Sequence, residues 1–469
     1  MLFLHNIYAD IYSRIWRSTD KMSSYKREII VAVLAHVIAA YYLIIRIFNS
    51  RLSAIGIGEF DRLCFLTLLI LAISIFASGK DRKIRELNRK VSWIYSALSI
   101  CLLISVIICR FVPERSMDIF MVILLIPVVM ITLSDENDFF RLTVKMSAAF
   151  VNAGVFLHVV NLLFARQEEG VASGYQGLIA NPNTLAMALL PTLFCAVYLY
   201  LMGKNRAYYL AVTAYTAGII VMTQSRTSFA MAFIGIFCCV IFGIRYGRVI
   251  AKSVSKQLVA VLLLIVVTVA GIFLTDKLNE LVAVKGEGRM ETAQTEDSSW
   301  GQLINKSKVR MDTGMNGFLS GRVELWKYYT EDITPFGHDS VTAAREREKD
   351  GITLGAHNTL IYYLYNNGVT TAFFMLLFQA AGCIYVVISF IGRRTEGEEG
   401  KVHVKNATFC AMMIPAYCAG GLVEDLSRIG GWGGVLMFYF AMTQVFLLET
   451  AAPAGRKKYA AKHSKKGKH

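Results

Sequence analysis

QLVAVLLLIVVTVAGIFLT, residues 257–275, runs for nineteen residues without a charged side chain. As a helix rising roughly 1.5 Å per residue it would extend about 28 Å, close to the thickness of a bilayer's hydrocarbon core. The chain then turns polar for about 80 residues, from Asp276 to Ala356, before hydrophobicity resumes. This junction decides the fold class: a polytopic membrane protein interrupted by one large loop.

Outward from it, blocks of similar length recur. Hydropathy predicts about twelve spans, near 28–48, 62–78, 91–109, 117–133, 143–164, 184–202, 207–223, 227–244, 257–275, 368–391, 406–423 and 431–449. The blocks are continuously apolar rather than alternating, which favours helices over a transmembrane β-barrel. The expected fold is therefore an all-α transmembrane helix bundle. It divides into a basic N-terminal segment (1–27), a first bundle of about nine spans (28–275), the loop (276–356), a second bundle of about three spans (357–449) and a basic tail (450–469). The first apolar block is span-length and lacks a small-residue cleavage site, so it reads as a span and not as a cleaved signal. Leu2, Phe3, Ile7, Ile11 and Ile15 have the spacing of an amphipathic helix on the inner membrane surface.

Of the 469 residues 55% are hydrophobic, yet the formal net charge is +15. Such a charge would suit nucleic-acid binding, but its placement argues against it. Basic residues gather in alternate loops (Arg82, Lys83 and Arg85; Arg245, Arg248 and Lys252; Arg393 and Arg394) and in the tail. That is the positive-inside pattern. It predicts cytoplasmic termini and puts the loops at 165–183, 224–226, 276–356 and 424–430 on the opposite, extracytoplasmic side. All nine cysteines fall inside predicted spans and read as packing residues, with neither a disulfide framework nor a zinc site expected.

The polar residues at that outer side carry the chemistry. Asn181-Pro182-Asn183 opens a span with a capping residue and a proline suited to the first turn. Ser225-Arg226-Thr227 joins two spans with almost no loop, putting an Arg fork at a helix start where an anion is favoured. Within the long loop, residues 285–312 show no apolar period and read as flexible. Val323, Trp326, Tyr329 and Ile333 instead predict a short amphipathic helix over 320–334, with Ser320 as N-cap and Arg322 at its start. The charged segment 341–353 reads as a lid. His357-Asn358 ends the loop: an imidazole is the side-chain type suited to general-base work at neutral pH, and Asn358 or Thr359 would cap the next helix. Each of these motifs also has a purely structural reading as a cap, turn or surface charge. Glu424, Asp425 and Arg428 read as rim charges, with orientation of a base as the alternative. Asn152, His158 and Asn161, all on one helix, read as hydrogen-bonding groups between helices. Few other ionisable groups lie mid-span, which disfavours an ion-coupled transporter.

In this order the motifs resemble the O-antigen ligase/polymerase family, integral-membrane glycosyltransferases of the GT-C class. They are Asn-Pro-Asn, Ser-Arg-Thr, Ser320-Gly321-Arg322 followed by Leu325-Trp326, and His357-Asn358 with Gly368 eleven positions on. The likeness covers about residues 170–380. It departs at Thr334-Pro335-Phe336-Gly337-His338, where the family often has a second glycine, and the 276–319 insertion has no counterpart. The resemblance implies a metal-independent, inverting transfer, without a cofactor, of a glycan from undecaprenyl diphosphate to an acceptor hydroxyl on a glycan, lipid or wall component. Arg226 and Arg322 would hold the diphosphate, and His357 would position or deprotonate the acceptor. Asn358, Asn181, Asn183, Ser225 and Trp326 would contact substrate. Polymerase and ligase differ only in acceptor and stay open, with polymerase slightly favoured. The alternative from another class is a polysaccharide-lipid flippase or exporter.

Overall fold

The computed structural model describes residues 21–77, 88–109, 113–125, 136–164, 174–179, 181–203, 205–251, 253–285, 321–352, 355–392 and 397–447, with Arg14, Leu303, Ser307 and Leu319 as isolated positions. The expected N-terminal surface helix, Ser320 and the basic tail lie outside them, as does nearly all of the stretch 285–312.

The described chain is an all-α bundle. Its helices are α1 (Ser24–Ala54), α2 (Glu59–Ala77), α3 (Arg89–Ile108), α4 (Pro113–Phe120), α5 (Glu136–Phe164), α6 (Pro182–Leu201), α7 (Arg206–Met222), α8 (Arg226–Arg245), α9 (Gly247–Ala251), α10 (Val254–Lys285), α11 (Arg322–Glu331), α12 (Ser340–Lys349), α13 (Thr359–Ile391), α14 (Gly397–Gly421) and α15 (Gly433–Met442). Eight of them are long and apolar enough to cross a membrane, within α1, α2, α3, α5, α6, α8, α10 and α13. The protein is thus a multi-spanning membrane protein, with eight such helices among the described residues where hydropathy predicts about twelve over the whole chain.

Four predicted spans are not among these eight. In 117–133 the helix α4 gives way to a π-turn at Met121–Leu125, and the remainder lies outside the described residues. In 207–223, α7 has only 17 residues, about 26 Å of rise. The stretch 406–423 falls in α14, which at 25 residues is long enough to span but too polar in composition to be counted, and whose residues Phe409–Ile414 are fully buried. A helix shielded by protein tolerates Lys405, Asn406 and Thr408, which a lipid-facing one would not. In 431–449, α15 ends after ten residues and continues as a 3-10 turn over Thr443–Leu447.

Helices α6 and α14 form the centre. Asn181 caps α6 by accepting from the amides of Asn183 and Thr184 at 2.9 and 3.2 Å, with Pro182 in the first turn. The perimeter is the inverse: Leu68, Ile107, Phe164, Val266 and Leu274 are each more than 60% exposed. Such side chains are stable facing lipid rather than water. Two of the three polar residues singled out in α5 tie helices together as expected, and the third holds a turn. Asn152 donates to His36 of α1 at 3.0 Å, His158 meets Thr216 of α7 at 2.8 Å, and Asn161 accepts from the Leu178 amide at 2.9 Å.

Two glycines fix the loop to the bundle. Helix α13 runs unbroken in sequence from Thr359 but is kinked at Gly368 (φ 87°, ψ 166°), a conformation open essentially to glycine alone. The turn Thr334–Gly337 seats on that break. A Cβ on Gly368 would lie 2.2 Å from the Pro335 carbonyl oxygen, and one on Gly337 would lie 2.2 Å from that of Asn366. The seat is sealed by the Val369 amide donating to Thr334 O (3.1 Å) and the Thr370 hydroxyl donating to Pro335 O (2.9 Å). Within the loop, α11 begins after Gly321, not at Ser320, and its buried side is Tyr329 with Leu325 and Tyr328 packed nearby. Val323 and Ile333, predicted for that face, are exposed. The predicted lid segment forms α12, capped by Asp339.

Gly368→Ala is expected to destabilise the protein by about 3 kcal/mol, since it adds both a clash and a disfavoured backbone state. Thermal unfolding and limited proteolysis in detergent check this: the loop of the variant should be cut faster than that of wild type. An unchanged midpoint and cleavage rate would mean the turn is not locked at Gly368.

Candidate active site at the loop end of the bundle

A cavity of about 370 Å³ opens where α8, α11 and the end of α14 meet. Its polar wall is Asn183, Gln224, Arg226, Arg322 and Glu424. Arg226 is there because α7 and α8 are joined by a turn of three residues, Thr223–Ser225. Gln224 holds the turn with a left-handed backbone (φ 55°), and the Thr223 hydroxyl bonds back to Ile220 O at 2.6 Å. Arg226 therefore stands in the first turn of α8, where unpaired amides already favour an anion. Below it, Ala230 and Ile234 follow at intervals of four on the same face and also line the cavity. The wall thus passes from a guanidinium to apolar side chains over about 12 Å of helix. Ala230 is exposed, and the neighbouring Phe233 and Phe237, stacked at 6.0 Å, are exposed on the lipid-facing side of α8.

The second half of the site is a bridge of three side chains from three separate segments. Arg322 at the start of α11 donates one guanidinium nitrogen to Val423 O and another to Glu424 Oε1, the latter at 2.6 Å. The other carboxylate oxygen of Glu424, Oε2, faces His357 Nδ1 at 3.2 Å. Both Arg322 and Glu424 are mostly shielded, with side chains 17% and 19% exposed. Burial pushes the Glu424 carboxyl up, but the hydrogen bond from His357 and the charge of Arg322 outweigh it and hold the group below its ordinary value. Glu424 is therefore a carboxylate at neutral pH and can only accept. It follows that His357 carries its proton on Nδ1 and, when neutral, presents the lone pair of Nε2.

The backbone around His357 is built to keep this geometry. His357 has φ 46°, one of three non-glycine residues in the left-handed region among the described residues, the others being Gln224 and Asn205. Asn358 caps α13 by accepting from the Leu360 and Ile361 amides (2.9 and 3.1 Å), and its amide donates to Leu422 O at 2.7 Å. Thr359 donates to Glu424 O and accepts from the Leu426 amide. The start of α13 thus clasps the loop that carries Glu424 at three points.

Of the residues singled out in the sequence, Asn183, Arg226 and Arg322 come together on the cavity wall, and His357 adjoins it through Glu424. Asn181, Ser225 and Asn358 lie behind the wall as caps and turn residues, the Ser225 hydroxyl donating to that of Ser228 at 3.0 Å. Trp326 lies off the wall, its indole donating to Ala356 O at 2.8 Å. Glu424, read as a rim charge, is instead the centre of the bridge. Gln224, in the predicted outer loop 224–226 but not among the predicted site residues, also lines the cavity, as a polar residue before Ser-Arg-Thr in so short a turn faces the same side. Among the described residues, no group of three or more His, Cys, Asp and Glu side chains is placed to hold a metal ion. No protein-family model matches the chain, and no curated protein or solved structure does either.

Glu424 ionises more readily in the folded protein than in the unfolded chain. Its stabilising share is present above the unfolded carboxylate pKa and is lost as pH falls through its lower folded value. The gap in unfolding midpoint between wild type and Glu424→Gln should be widest near about pH 7 and close below about pH 4. A gap that does not vary with pH would contradict an ionised, bridged Glu424.

Proposed function

We propose that this protein is a membrane glycosyltransferase that moves a glycan from undecaprenyl diphosphate to an acceptor hydroxyl, at the extracytoplasmic face of the cytoplasmic membrane. One observation carries the reading: a cavity rimmed by two guanidinium groups is also lined by the apolar Ala230 and Ile234 of α8, a helix whose neighbouring Phe233 and Phe237 are exposed. A ligand matching it has an anionic head and a long apolar tail. A lipid-linked diphosphate fits better than a single phosphate, because two Arg forks face one space and each can bind two oxygens. The resemblance to the O-antigen ligase/polymerase family, carried by the same residues, points to the same donor. The positive-inside pattern supports the orientation.

The chemistry follows from the groups in place. Arg226 and Arg322 hold the diphosphate and stabilise the negative charge that grows on it as the anomeric C–O bond breaks. His357 Nε2 takes the proton from the acceptor hydroxyl, and that oxygen attacks the anomeric carbon from the face opposite the departing diphosphate, with inversion. The diphosphate leaves on its lipid, and His357 later returns the proton to water. Asn183 and Gln224 supply uncharged hydrogen-bonding groups on the wall facing Arg322.

Arg226→Ala, Arg322→Ala and His357→Ala, each expressed to wild-type level in the native host, should reduce transfer by about 100-fold or more, as loss of a charge-stabilising or base group does. Profiling surface glycan length reads the result. Loss of long chains with single repeats retained identifies a polymerase. Finished lipid-linked chains that never reach an acceptor identify a ligase. Normal glycan in all three variants would overturn the catalytic reading, and repeats trapped on the cytoplasmic side would favour the flippase.

A further inference from the structure

Glu424 does more in this geometry than complete a surface ion pair. Its two carboxylate oxygens are divided between a donor-site cation, Arg322, and the base, His357. Whatever draws Arg322 away changes the charge that Glu424 presents to His357. A diphosphate is such a competitor, because it offers Arg322 more than one anionic oxygen where Glu424 offers one.

Resting on the donor assigned above, we infer that Glu424 couples donor binding to base strength: His357 becomes an effective base when a diphosphate engages Arg322. With the donor site empty, Arg322 neutralises Glu424 and withdraws its field from the imidazole. With the diphosphate bound, Arg322 is shared, and Glu424 stabilises the imidazolium that forms as the acceptor proton arrives. Glu424 is a positioning residue here. It fixes the proton on Nδ1 and sets the basicity of Nε2 without touching substrate. The charged groups on the surrounding elements are Arg322 from α11, Arg226 from α8 across the cavity, and Glu424 and Asp425 from the loop after α14. Arg322 and Glu424 are the ones joined to His357 through the hydrogen-bonded bridge. The arrangement would keep the base weak until donor is present, which guards against idle reaction at an empty site.

The test is the titration of His357, followed by NMR of histidine-labelled full-length protein in nanodiscs, with His357→Gln used to assign the signal. Undecaprenyl diphosphate is the probe. Saturating probe should raise the His357 pKa by about one unit, the scale of a neighbouring charge at hydrogen-bond range. In Glu424→Gln the rise should fall to less than half of that. Without any probe, Arg322→Met should raise the His357 pKa, and the same change made in the Glu424→Gln background should raise it much less. An equal rise with and without Glu424 would overturn the coupling and leave the donor reading standing, because the diphosphate would then act through space. Failure of undecaprenyl diphosphate to bind wild-type protein would remove the donor reading, and the coupling with it. The probe-free comparison of Arg322→Met in the two backgrounds tests the bridge even if binding proves weak.

Discussion

One carboxylate, that of Glu424, holds three distant parts of the chain in register. Its oxygens meet Arg322 from the long loop and His357 from the start of α13, and its own backbone oxygen accepts from Thr359. Each partner alone would be a mostly buried charge or a polar group without a role. Removing the carboxylate would strand a shielded guanidinium, the costly case for a buried ion pair. The bridge is therefore what makes a loop helix, a span and an inter-helix turn behave as one wall.

The loop that carries Glu424 is anchored at its far end as well. Arg428 joins Glu59 at the start of α2 to Asp118 of α4, and Asp118 also accepts from the Gly430 amide at 2.9 Å. The Arg46 guanidinium lies 3.6 Å over the Trp432 ring, and the Tyr42 hydroxyl donates to Ile429 O. Residues 422–432 thus run as a strap from the cavity to the N-terminal helices. The other rigid contact, backbone against backbone at Gly337 and Gly368, fixes the loop helices over α13. Between them these two devices hold the strap and the described loop helices against the bundle.

The parts of this arrangement that were legible in the sequence have local signatures. Caps such as Asn181 and Asn358 announce helix starts, span-length apolar runs announce most of the bundle, and alternate basic loops sort Asn183, Arg226, Arg322 and His357 to one side. The parts that were not legible depend on neighbours far away in the chain. Nothing near Glu424 says that it meets residues 67 and 102 positions earlier. A glycine within an apolar run gives no hint that another backbone lies against it, so Gly368 marked a motif without revealing its contact. Hydropathy reads 406–423 from composition alone and gives no sign that α14 lies enclosed among other helices. The predicted face of α11 holds at Tyr329 but not at Val323 and Ile333, because contact with Ala343, Ala356 and Tyr365 also draws in Leu325, which the period of the helix does not single out.

The proposed function turns on whether the cavity between Arg226 and Arg322 receives a lipid-linked diphosphate. Cryo-electron microscopy of the full-length protein in nanodiscs with undecaprenyl diphosphate tests it most directly. Density for the two phosphates is expected within hydrogen-bond reach of both guanidinium groups, with the isoprenoid chain leaving along Ala230 and Ile234 on α8. An empty cavity at saturating lipid, or a diphosphate bound elsewhere with the Arg322–Glu424 pair undisturbed, would contradict it.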